Sequence, residues 1–249
     1  MPTMSVELLP AMPQFAAGDD VAGAIATAAR QAGVAIGAGD VVVVAQKIVS
    51  KAEGRAVDLA GIHADPQALE LAALTGREPA LAQLVLDEAQ SVMRATAQAI
   101  ITRHRTGHVT ANSGIDASNV EGDRVLLWPR DPDASARAIR DGLAGRPAVV
   151  IADSLGRAWR QGTLGTAIGC AGLVHTDDRR GQTDLYGRTL QATVVAIADA
   201  IAAFAVLAMG EGAEGTPVAV VRGAGRWVTA EDGEGAAAIM RPAAGDMFP

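Results

Sequence analysis

The chain has 249 residues, 49% hydrophobic and 20% charged, with a formal net charge of -7. That length suffices for one large domain with a sizeable core, and the acidic balance argues against a general nucleic-acid-binding surface. The single Cys170 excludes an internal disulfide or a cysteine-built zinc site, and within its apolar Gly/Ala run it reads as a small packed residue.

Aromatic residues make up only 3%, so Ala, Val, Leu and Ile must fill the core. Of the 21 basic residues only Lys47 and Lys51 are lysines. In a chain that otherwise uses arginine, that suggests a segment where a compact ammonium is wanted; chance retention of two lysines fits as well. Met1 to Glu7 does not read as a secretory signal. Residues 192–209 approach the length of a membrane span, but Asp199 in their middle and their alanine content fit a buried core helix better. A soluble, cytoplasmic protein is expected, with no membrane partner.

In chain order, Ser5 to Leu9 reads as a strand, and Pro10 and Pro13 leave 12–15 as a loop. Asp19 or Asp20 caps a helix to about Gly33, with Val21, Ile25, Ala28 and Ala29 facing inward. Asp40 to Ala45 is a continuous apolar run, expected to be a strand buried on both faces. Lys47 and Lys51 follow it, four apart, so on a helical turn they share a face and could grip a polyphosphate. A solvated helix start fits the same residues.

Residues 65–91 read as two short helices, and 98–103 with 108–112 as a hairpin turning at Thr106-Gly107. His104 and His108 are expected as surface or hairpin residues and not as metal ligands. The loop 111–119, with Asp116 and Asn119, is dense in oxygen ligands. A strand at 124–128 and a helix from Asp131 to Leu143 precede the apolar run 148–151. That run is expected to end at Asp153-Ser154, followed by an Arg/Gly loop containing Gly156, Arg157, Arg160, Gly162 and Gly165. A strand-end carboxylate suits a hard cation, while glycines and arginines suit a phosphate; a plain turn between two strands fits equally. Residues 210–215 spell GxGxxG but follow a helix and precede a strand, the reverse of the dinucleotide context, and there is no P-loop motif. A mixed α/β (α+β) fold is expected, a single domain over 1–249 made of two intimately packed subdomains.

Four segments in this order carry a resemblance: 43–54 (Val-Val-Ala-Gln-Lys-Ile-Val-Ser-Lys-Ala-Glu-Gly), 112–119 (Asn-Ser-Gly-Ile-Asp-Ala-Ser-Asn), 152–160 (Ala-Asp-Ser-Leu-Gly-Arg-Ala-Trp-Arg) and 209–217 (Met-Gly-Glu-Gly-Ala-Glu-Gly-Thr-Pro). Together they resemble the coenzyme F420-0:L-glutamate ligase family, over nearly the whole chain. The resemblance implies a homodimeric, GTP-dependent ligase that adds L-glutamate to the lactyl-phosphate tail of coenzyme F420-0, and of F420-1, through an acyl phosphate.

The resemblance further implies two Mg2+ or Mn2+ ions, with K+ as an additional ion. One divalent ion would be held by Asp116 and Asp153, the other by Ser154 and Glu211. It implies GTP contacts at Met12, Pro13, Gln14 and Phe15, at Gln46, Lys51 and Asn119, and along Met209, Gly210, Glu211, Gly212, Ala213, Glu214, Gly215 and Thr216. Asp116 and Asp153 are thereby assigned to catalysis. Arg157 and Arg160 are added from the residues themselves, as phosphate or substrate-tail clamps. Gln46 departs from the small hydroxyl residue common in the family, and Ser154 stands where Thr is frequent. The flavin-binding C-terminal domain of some relatives is not expected here. A metal-dependent nucleotide hydrolase and a non-catalytic GTP-binding module remain open alternatives.

Overall fold

A computed structural model describes residues 3–118, 122–242 and 245. The first part of the chain forms β1 (Ser5–Leu8), α1 (Val21–Ala32), β2 (Val41–Ala45), α2 (Gln46–Ala52) and β3 (Ala56–Asp58). A middle part follows with α3 (Pro66–Thr75), α4 (Pro79–Glu88), β4 (Ala89–Ala95), β5 (Ile100–His104), β6 (Val109–Ala111) and β7 (Arg124–Leu126). The last part holds α5 (Pro132–Gly142), β8 (Ala148–Arg157), β9 (Arg160–Ala171), β10 (Thr176–Asp178), β11 (Val194–Ala196), α6 (Ile197–Met209) and β12 (Val218–Arg222). This is the expected α+β arrangement.

The organising element is a five-stranded sheet in the order β1-β12-β2-β8-β9. Only β2 and β8 pair in parallel. Valines alternate across it: Val42, Val44, Val149 and Ile151 pack on one face with Trp128, α1 and α5, while Val41, Val43, Val150 and Ala152 pack on the other with α6. Burial on both faces is why β2 reads as an uninterrupted apolar run rather than an alternating one. Helix α1 is capped by Asp20, whose carboxylate accepts from Gly23 N, and it ends at Gly33 with φ +68°. Its inward face is the expected one. Helix α5 likewise starts at an Asp131 cap.

Three expectations on local structure need correction. The segment 65–91 is not helical to its end: α4 stops at Glu88, and Ala89 opens β4. The apolar run at 148 does not stop at Asp153. It continues to Arg157, turns, and returns as β9, so the Arg/Gly stretch is not a loop but a β-hairpin, the turn between two strands that the sequence also allowed. His104 and His108 sit on the expected hairpin, yet neither is at the surface: they are 0% and 3% exposed. Cys170 is buried, and burial pushes its thiol up to about 12, as suits a packing residue. Among the described residues no helix is long and apolar enough to cross a membrane.

Candidate active site

The sheet topology delivers four segments to one edge. Because β2 and β8 are parallel with Ala45 opposite Ala152, the residues that follow, Gln46-Lys47 and Asp153-Ser154, emerge side by side. Strand β12 runs antiparallel to β2, so the 209–217 loop arrives at the same edge, where Pro217 O accepts from Ala45 N. Strand β1 pairs antiparallel with β12, which sends residues 12–15 there too. These segments enclose a cavity of about 970 Å3, within the range of small-molecule sites.

Met12 to Phe15, Gln46, Lys51, Asp153, Ser154 and Met209 to Thr216 all line this cavity, as do Lys47 and Arg124. Asp116 does not line it but reaches it through Lys47, whose Nζ lies 2.5 Å from Asp116 Oδ2. Asn119 lies outside the described residues. Arg157 and Arg160 are paired across the turn of the β8–β9 hairpin and do not line the cavity. Nη1 of Arg157 is buried without a hydrogen-bond partner among the described residues.

Asp153 and Ser154 take opposite faces of the sheet, for a reason visible in the pleat of β8. Successive side chains on a strand point to opposite faces. Asp153 therefore points to the face that carries Trp128, whose Nε1 donates to Asp153 Oδ2 at 2.8 Å. Ser154 points to the α6 face, where its hydroxyl donates to Glu211 in a very short hydrogen bond. A bulge skips Ile168 opposite the Ile151–Ala152 step, which bends the hairpin just before these two residues. Among the described residues no three His, Cys, Asp or Glu side chains converge on one point.

The two carboxylates differ electrostatically. Enclosure raises Asp153 to about 6, against the opposing effects of the Ser154 N–H, the Trp128 indole and Lys47, while the Asp116 charge adds to the rise. Enclosure works the same way on Asp116, but Lys47 and Ser118 outweigh it and hold that carboxyl below its ordinary value. Lys47 thus places a positive charge directly beside the Asp116 carboxylate. The donors at this edge are carboxylates and a hydroxyl, a set that fits a hard divalent cation in kind. The orphaned Gln46 Nε2 is buried while Gln46 Oε1 accepts from Ser50. Its free N–H is available to an acceptor on a ligand in the cavity.

Sequence reasoning missed Arg124 and Trp128. Arg124 was legible only as the start of a strand. Trp128 carries no motif; its one signal is a large polar-tipped aromatic residue two positions after a strand and just before a helix cap.

The site is thus a polar cavity at the edge of a mixed sheet in an α+β protein, lined by two lysines, carboxylates and a hydroxyl, of the size of a small-molecule pocket. The chain matches the family described as F420-0:gamma-glutamyl ligase over residues 11–223, and it belongs to that family. It is 42% identical over 241 residues to the coenzyme F420:L-glutamate ligase of Methanothermobacter thermautotrophicus, covering 95% of each chain. It is 40% identical to the protein of that name from Methanopyrus kandleri, over all of this chain and 98% of the relative. With the Halobacterium salinarum protein it shares 45% identity over 85% of this chain and 83% of the relative.

Proposed function

We propose that the protein is a cytoplasmic GTP-dependent amide ligase that adds L-glutamate to the lactyl-phosphate tail of coenzyme F420-0, and of F420-1. In this reading the terminal carboxylate of the tail takes the γ-phosphoryl group of GTP, giving an acyl phosphate and GDP. The glutamate amine then attacks the acyl carbon, the amide forms, and phosphate leaves. The observation that carries the reading is the meeting of Asp153-Ser154, Glu211 and the lysine pair at one cavity, in a member of a ligase family.

Lys47, Lys51 and Arg124 supply the positive charge that three phosphates require, and Lys51 sits on α2 one turn beyond Lys47. Gln46 Nε2 offers a buried donor to the nucleotide. The 209–216 loop is preshaped by its own side chains, with Glu214 accepting from Gly212 N and Thr216 donating to Met209 O. Asp116 with Asp153, and Ser154 with Glu211, would each hold a Mg2+ or Mn2+ ion, with K+ as an additional ion. Bound divalent ions would neutralise charge on the transferred phosphoryl group, the main requirement of that chemistry. Arg157, with its unpartnered Nη1, and Arg160 would clamp the anionic tail of a substrate longer than the cavity.

The test is mass spectrometry of coenzyme F420-0 incubated with the protein, GTP, Mn2+ and L-glutamate. A product heavier by one glutamyl residue is expected, and it must be absent without GTP. Phosphate release from GTP at the same rate without deazaflavin and glutamate, with no such product, would instead identify a hydrolase.

A further inference from the structure

We infer that Trp128 is the positioning residue of this site: its indole holds the Asp153 carboxylate in ligating orientation and fixes the Asp116 loop to the same frame. The inference rests on the proposed reading of Asp116 and Asp153 as cation ligands. Trp128 is fully buried. Its Nε1 donates to Asp153 Oδ2 at 2.8 Å, while Asp153 Oδ1 accepts from Ser154 N at 2.8 Å. Each carboxylate oxygen is thus tied down by one N–H and retains lone-pair capacity for a cation.

The indole also meets the other carboxylate's segment. Gly114 adopts φ +69°, and a Cβ there would lie 2.4 Å from Trp128 Cε2. The loop two residues before Asp116 therefore lies directly on the ring, and only glycine allows it. The rings of His104 and His108 pack against the indole at centroid distances of 4.8 Å and 5.5 Å. The Trp128 carbonyl is fixed in turn by Arg55 Nε at 2.8 Å. The ring is held by neighbours on several sides and bears on both proposed ligand segments. A buried indole needs an acceptor somewhere, but here the acceptor is a proposed ligand and the packing surface is the other ligand's loop. Groups that orient a ligand from behind typically change metal affinity by about 10–100-fold.

The experiment compares Mn2+ binding by electron paramagnetic resonance in the wild type, Asp153→Asn and Trp128→Phe. Phenylalanine keeps an aromatic ring and removes the N–H. We expect Trp128→Phe to bind Mn2+ about 10–100-fold more weakly, with unchanged stoichiometry and cooperative unfolding. A second measurement uses the wild type alone: the indole N–H resonances of its three tryptophans, assigned with Trp159→Phe and Trp227→Phe, are followed as Mg2+ is added. The Trp128 resonance should move with saturation, and the Trp227 resonance should not. Wild-type affinity in Trp128→Phe overturns the inference. If that variant does not fold, a Trp128 resonance that ignores Mg2+ overturns it. A wild type that binds Mn2+ no better than Asp153→Asn removes the cation reading itself, a different failure from a bound ion indifferent to Trp128.

Discussion

Glu88 is a buried carboxylate that the proposed reaction does not use, and its partners explain why it is there. Arg55 Nη2 donates to it at 2.7 Å and Arg105 Nε at 2.9 Å, with His104 Nε2 at 3.4 Å. Burial works against its ionisation, and His104, Arg55 and Arg105 more than reverse this, holding the carboxyl down at about 2. A carboxyl whose folded value is depressed gives stability that is present above its unfolded value and is lost as pH falls through the folded one. Glu88→Gln leaves the buried Arg55 guanidinium without its counter-charge and should lower stability by about 3 kcal/mol at pH 7. The gap between wild type and variant, read from urea unfolding, should be constant above the ordinary carboxylate range of about 4–5 and close as pH falls toward about 2. Asp153→Asn predicts the opposite pattern. Its single amide oxygen can keep the Trp128 hydrogen bond while the Ser154 N–H loses its acceptor, a local loss that leaves cooperative unfolding in place. Glutamate addition should fall by more than the roughly 10–100-fold typical of groups behind a metal ligand. Unchanged ligation in that variant would take Asp153 out of the site.

At the scale of elements, legibility followed side-chain chemistry. Strand β2 announced itself through four consecutive valines, and α1 and α5 through aspartate caps and spaced apolar residues. The outer half of the β8–β9 hairpin was legible only as one of two readings, because Gly156, Gly162 and Gly165 lower strand propensity and imitate a loop. Those glycines serve close packing as much as conformation. A Cβ at Gly165 would lie 2.7 Å from Val206 on α6, and one at Gly169 would lie 2.4 Å from the Pro132 backbone at the start of α5. The segments that line the cavity stood out through their polar clusters next to apolar runs. The pairing of Ser154 with Glu211 came only with the family resemblance, since it depends on which face of β8 each side chain takes and on which loop waits there. His104 and His108 lie on the expected hairpin, but their burial was not legible, since it includes packing on Trp128, a contact made across the fold. Gly169→Ala should force α5 away from β9 and cost at least about 1–3 kcal/mol, the usual penalty of overpacking, visible as a lower thermal midpoint. An unshifted midpoint would mean that the helix start yields freely.

For the whole molecule, the homodimer that the family resemblance implies would need a self-complementary surface, and helix α6 offers a candidate. Helix α6 buries Ala198, Ile201, Ala202, Ala205 and Met209 against the sheet. Its other side does not turn polar: residues 200–209 contain no charge, and Leu207 is 86% exposed with Phe204 three residues before it. Leu185 and Tyr186, between β10 and β11, are almost wholly exposed as well. Exposed apolar side chains grouped on one helix face mark an interaction surface more often than chance solvation. A two-fold interface brings the same patch of both copies together, and an uncharged patch meets itself without repulsion at a net charge of -7. Sedimentation velocity should therefore show a dimer for the wild type. Leu207→Glu introduces two facing carboxylates at such an axis and should shift the population to monomer, with the far-ultraviolet circular dichroism unchanged. A variant that sediments as the wild-type dimer would place the contact elsewhere on the surface. A wild type that sediments as a monomer would remove the dimer and leave this face of α6 without a partner of its own kind.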